Sequence, residues 1–146
     1  MNLVFTSKAM KDARPALEEL FFFNPRQYRV REGIVNSLGE FGHPRIEDTG
    51  GGLSIRVGNQ EAQTLFAFDG DRRDSSPIGI VIFMRTSADE IAVMHLAVHP
   101  DYALPGRRAG LGLGLALIEK VKEIASRIVG VRRIVLHYQR GIVIRV

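Results

Sequence analysis

A chain of 146 residues, 45% hydrophobic and 25% charged, is sized and composed for one globular domain covering residues 1–146. It has no cysteine, which excludes disulfides, thiolate nucleophiles and cysteine-ligated zinc, and no metal site is expected. The formal charge of +4 and pI of about 9.8 suit an anionic ligand, a phosphate-bearing cofactor or a nucleic acid, yet the sixteen arginines are scattered in single positions and short pairs and form no stripe.

The N-terminal stretch lacks the apolar core of a signal peptide, and no run approaches the ~18 apolar residues of a membrane span. The sequence therefore reads as cytoplasmic, without membrane contact. "DARPALEELFFF" has apolar residues at helical spacing, with Asp12 as N-cap and Pro15 in the first turn. "NPRQYRVREGIVNSLGEF" opens on Asn24-Pro25 and predicts a second helix to about Phe41. Phe21, Phe22 and Phe23 are expected to dock the first helix onto a sheet, and Tyr28 and Phe41 to do the same for the second. "GHPRIEDTGGG" is loop by composition.

The chain then changes character. "LSIRV", "TLFAF", "IGIVIFMR" and "EIAVMHLAV" predict four strands, and their short polar separators favour antiparallel neighbours. "GLALIEKVKEIASRI" has the period of an amphipathic helix, and "RRIVLHYQ" and "GIVIRV" predict two more strands. The unit from "EIAVMHLAV" through the helix to "RRIVLHYQ" is a β-α-β crossover with parallel strands. The expected class is thus α/β with a mixed sheet: antiparallel strands, then one parallel crossover. The apolar strand at the end of the sequence would invite pairing with another chain, so a homodimer is expected.

"PGRRAGLGLGLALIEK", residues 105 to 120, places Gly110, Gly112 and Gly114 between a strand and a helix. Bare amides and the helix dipole make such a turn an anion site, and glycine lets a phosphate approach. The dinucleotide fingerprint fails, because its third small position falls on Leu115 or Leu117, and the Gly-Lys-Ser/Thr of a P-loop is missing. The pattern that fits is Arg-x-x-Gly-x-Gly, from Arg107 to Gly112.

"MHLAVHPDY" followed by "RRAGLGLGLALIEKV" resembles the coenzyme-binding core of the GCN5-related N-acetyltransferases, the GNAT superfamily, over roughly residues 78 to 139. The resemblance implies splayed parallel strands, acetyl-CoA as co-substrate and a small-molecule or peptide amine as acceptor. It implies that Leu96, Ala97 and Val98 lie along the pantetheine arm, with Leu96 and Val98 in the backbone-pairing positions. Arg107, Arg108, Ala109, Gly110, Leu111, Gly112 and Leu113 would hold the pyrophosphate. Two departures stand out. Residues 103 to 106, "ALPG", lengthen the loop, and the chain stops soon after "VLHYQ", where the family continues with a helix and two strands.

Acetyl transfer needs an amine that loses a proton and a donor that protonates the departing thiolate. Candidates for this work are His95 in the key strand, Glu90 at its start and Tyr138 in "VLHYQ". His95 and Ala97 should face away from Leu96 and Val98, and His137 away from Tyr138. His99 stands at the strand end, and Asp89 reads as turn chemistry. The alternatives to an N-acetyltransferase are an inactive coenzyme A-binding or sensing module, and a nucleic-acid binder, for which no motif is present.

Overall fold

Two apolar runs at 78–84 and 91–98 build the centre of a six-stranded sheet, because both faces of these strands are buried. The computed structural model describes residues 2–22, 42–48, 50–58, 60–71, 76–102, 112–139 and 141–146. The strands of the main sheet are β1 (Leu3–Thr6), β5 (Gln63–Asp69), β6 (Gly79–Ser87), β7 (Glu90–Val98), β8 (Arg133–Leu136) and β9 (Ile142–Arg145), in spatial order β1-β5-β6-β7-β8-β9. Every neighbouring pair is antiparallel except β7–β8, which is parallel. The crossover between those two is α2 (Leu113–Ser126). Helix α1 (Arg14–Phe22) and a second sheet of β2 (Pro44–Asp48), β3 (Leu53–Val57) and β4 (Gln60–Glu61) complete the described elements.

Two apolar layers sandwich the main sheet. On one face Leu113, Leu117, Val121 and Ala125 of α2 meet Val81, Phe83, Ile91, Val93 and Ile134. These helix positions recur every three or four residues, so one stripe of α2 is buried and Leu115, on another side, is exposed. Gly79 lets the helix lie low on the sheet: a Cβ there would stand 3.1 Å from Leu117 Cδ1 and 3.3 Å from Leu113 Cδ2. On the other face Ala13 and Leu17, with Leu53, Ile55 and Val57 of β3, cover Phe66, Ile80, Ile82, Met94 and Ala97.

Several expectations change. "PRIED", within the segment read as loop, is strand β2. Its burial alternates only weakly, and its partner β3 supplies the ladder, which composition cannot show. "LSIRV" is a strand, but it belongs to the small sheet. "LVFT" forms β1 through antiparallel pairing with β5, although four residues carry little periodic signal. Asp12 sits inside a 3-10 turn, Lys11–Ala13, that leads into α1, so it does not cap the helix. His137 and Tyr138 lie in a 3-10 turn, His137–Gln139, after β8 has ended at Leu136, so strand alternation does not govern them. The expected second helix from Asn24 to Phe41, together with Phe23, lies outside the described residues.

Thr64 on β5 carries the one buried side-chain polar atom without a hydrogen-bond partner among the described residues. A hydroxyl taken from water and left unpaired costs about 1–3 kcal/mol. Thr64→Val keeps the shape and removes the hydroxyl, so it should raise unfolding free energy by about 1 kcal/mol in urea titration. An unchanged or lower stability would show that the hydroxyl is satisfied in solution.

Candidate active site at the parting of two parallel strands

Strand β7 changes its geometry midway. Ile82 of β6 faces His95, and the next residue, Phe83, faces Val93, so Met94 is an extra residue in the β7 ladder. Such a bulge bends the strand and sharpens its twist. The parallel ladder to β8 covers only Glu90 to Val93 against Arg133 to Leu136. Beyond Val93, β7 runs on to Val98 while β8 breaks into the 3-10 turn, which packs against β7. The two strands therefore part at Val93 and Leu136, just before the bulge.

The start of helix α2 lies over this stretch of β7. Gly112, its N-cap, adopts a left-handed conformation (φ 59°, ψ 45°) and has no side chain with which to cap the helix. The first intrahelical bond runs from the Ala116 amide to the Gly112 carbonyl at 2.9 Å, which leaves the amides of residues 113 to 115 without intrahelical acceptors. Among the described residues, a Cβ on Gly112 would meet nothing within 4 Å. Gly114 lies over β7: a Cβ there would stand 3.8 Å from Leu96 Cδ2 and 3.9 Å from Val98 Cγ2. These are ordinary contact distances, so packing against the sheet does not by itself require glycine at 114. Leu113 is buried in the core beneath the helix start. Arg107, Arg108, Ala109, Gly110 and Leu111 lie outside the described residues.

Leu96 and Val98 pack toward α2, while Ala97 packs into the opposite layer. His95 stands opposite Ile82, a member of that opposite layer, and is 8% exposed. Burial lowers its pKa to about 4, so the imidazole is neutral at pH 7. Tyr138 is buried beside the parting of β7 and β8, among the apolar residues of the α2 face, and burial raises its phenol to about 12. It stays protonated throughout the neutral range.

The fold does not bring Glu90 to these groups. It begins β7, four residues before Met94 and therefore roughly 13 Å along the strand. There it accepts a 2.7 Å hydrogen bond from Thr86 Oγ1 and a 3.0 Å bond from Arg133 Nε. The Thr86 hydroxyl first, and then Arg133, hold its carboxyl below the usual carboxylate range. Arg133 also donates to Asp89 at 2.8 Å, and Asp89 accepts from Ser87 at 2.9 Å. The group ties the β6–β7 turn to the start of β8. His99, past the strand end, has its Nδ1 occupied as acceptor for the Asp101 amide at 3.1 Å. Among the described residues no group of histidines and carboxylates is arranged to hold a metal ion.

No protein-family model and no curated protein matches this sequence. Solved structures that resemble the fold include two acetyltransferases. One is nourseothricin acetyltransferase, with a TM-score of 0.50 and 17% identity over 93% of this chain and 73% of that one. The other is a protein of Desulfovibrio desulfuricans assigned as an acetyltransferase of the GNAT family, with a TM-score of 0.49 and 18% identity over 92% and 72%. At 17% identity the nourseothricin acetyltransferase likeness is one of fold, which in this chain is a mixed sheet with a single parallel crossover.

Proposed function

We propose that the protein transfers an acetyl group from acetyl-CoA to a primary amine. The observation that carries this reading is the end of the β7–β8 ladder at Val93, with the N-terminus of α2 over the β7 stretch beyond it and Tyr138 in the turn that follows β8. Two features fit an acyl-coenzyme A. The amides of Leu113, Gly114 and Leu115 suit a pyrophosphate. The stretch from Leu96 to Val98, past the β8 ladder, suits an extended amide-bearing arm that pairs as a strand would.

When bound, acetyl-CoA supplies an acetyl carbon already activated as a thioester. The amine nitrogen forms its bond to that carbon as the carbon–sulfur bond breaks, and Tyr138 donates its phenolic proton to the departing sulfur. The raised pKa suits this role, since the proton is in place at every pH where the enzyme would work. The proton lost by the amine passes to water, and the Tyr138 phenolate takes a proton back from water to complete the cycle. His95 is a weak acceptor because burial disfavours its charged form, and Glu90 is held in its pairing with Thr86 and Arg133.

The test is release of free coenzyme A thiol from acetyl-CoA in the presence of a panel of amines: peptide N-termini, lysine, polyamines and aminoglycosides. Amine-dependent release is expected with at least one class. Binding of acetyl-CoA without release across the panel would overturn the transferase reading in favour of a coenzyme-binding module.

A further inference from the structure

Asp69 and Tyr102 are two buried polar residues that the chemistry above leaves unused, and they meet in a single hydrogen bond. Tyr102 Oη donates to Asp69 Oδ2 at 2.8 Å, and both residues are only 3% exposed. The other carboxyl oxygen, Oδ1, accepts the Asp71 amide at 3.0 Å. A carboxylate buried this deeply is unfavourable unless hydrogen-bonded, so its position in the fold calls for a reason.

That position is the end of the sheet where the coenzyme site is proposed. Asp69 is the last residue of β5, and Tyr102 ends the 3-10 turn Pro100–Tyr102 that follows β7. The turn is fixed along its length. The His99 amide donates to the Ile78 carbonyl at 2.7 Å, and the Tyr102 amide donates to the His99 carbonyl at 2.8 Å. The His99 ring meets the Tyr102 ring edge-on, with centroids 6.1 Å apart. The Tyr102 ring belongs to the apolar cluster that also holds Val98 at the end of β7 and Leu113 at the head of α2. The hydrogen bond therefore joins the end of β5 to the turn that follows β7, and its phenol ring lies in the same apolar cluster as the end of β7 and the head of α2. In sequence, Tyr102 stands directly before the segment that carries Arg107, Arg108 and Gly110, and Gly112 directly after it.

We propose that Asp69 and Tyr102 are positioning residues for the coenzyme's pyrophosphate end. The phenol ring, oriented by the carboxylate, holds the end of β7 and the head of α2 at the separation that the coenzyme needs. This rests on the acetyl-CoA reading. A purely structural hydrogen bond would lower stability when broken and leave affinity for the coenzyme unchanged.

The experiment is calorimetric titration of acetyl-CoA into the full chain and its variants, with a melting temperature for each. Tyr102→Phe should weaken binding about tenfold, and Asp69→Ala should do the same. The double variant should bind no more weakly than Asp69→Ala, because Tyr102→Phe removes a bond that Asp69→Ala has already removed. Asp69→Asn can still hold the phenol, its amide oxygen accepting from the Asp71 amide and its NH2 donating to the phenol oxygen, and should bind more tightly than Asp69→Ala. A folded Tyr102→Phe protein with unchanged affinity, or an Asp69→Asn variant as weak as Asp69→Ala, overturns the positioning role. A wild-type chain that does not bind acetyl-CoA overturns the donor reading and this role together.

Discussion

Tyr138→Phe should lower the rate of amine-dependent thiol release by about 10²- to 10³-fold, the range that a positioned general acid contributes. Affinity for acetyl-CoA should remain within about twofold, since the ring still fills the same buried volume beside β7. The pH dependence adds a second expectation. With the phenol raised to about 12, Tyr138 does not ionise below pH 10, so any loss of wild-type rate between pH 8 and 10 must come from another group. Rates measured from pH 6 to 10 for both proteins test this. A variant that retains wild-type turnover would show that Tyr138 is a core aromatic only.

Acidification should destabilise the protein through His95. Its folded pKa of about 4 lies below the unfolded value near 6.5, so the unfolded chain takes up the proton first. The stabilisation from keeping the ring neutral is complete above pH 6.5 and is lost as pH falls toward 4. The difference corresponds to about 3 kcal/mol at the acid end. His95→Gln lacks that titration. Urea unfolding at several pH values should show wild type losing about 3 kcal/mol more than the variant between pH 7 and 4. Parallel pH profiles for the two proteins would mean that the imidazole reaches solvent and titrates normally, which its burial opposite Ile82 argues against.

The strands that hold the site were legible because their apolar runs are long. "EIAVMHLAV" matches β7 residue for residue, and the stripe in "GLALIEKVKEIASRI" places α2. The parallel pairing followed from chain order and the helix between the strands. What escaped depends on contacts distant in sequence. β1 is a strand only because β5 offers it a ladder, and β2 only because β3 does. The Met94 bulge depends on how β6 pairs with β7, and no residue type marks it. Tyr138 is brought to the parting by the end of β8, where the apolar alternation runs on in sequence although the strand does not. Glu90, a candidate at the start of the key strand, has partners that its sequence position does not show: Thr86, four residues back, and Arg133, one strand over. The Asp69–Tyr102 bond spans 33 positions and left no local pattern to find.

The most direct test of the account is amide hydrogen exchange with and without acetyl-CoA on the wild-type chain. Binding should slow exchange at Leu96 and Val98 on β7 and at Leu113 to Leu115 at the head of α2, while the edge strand β9 stays unchanged. Absence of protection at both the β7 stretch and the α2 head, at acetyl-CoA concentrations in the millimolar range, would contradict the assignment of this opening as an acyl-coenzyme A site.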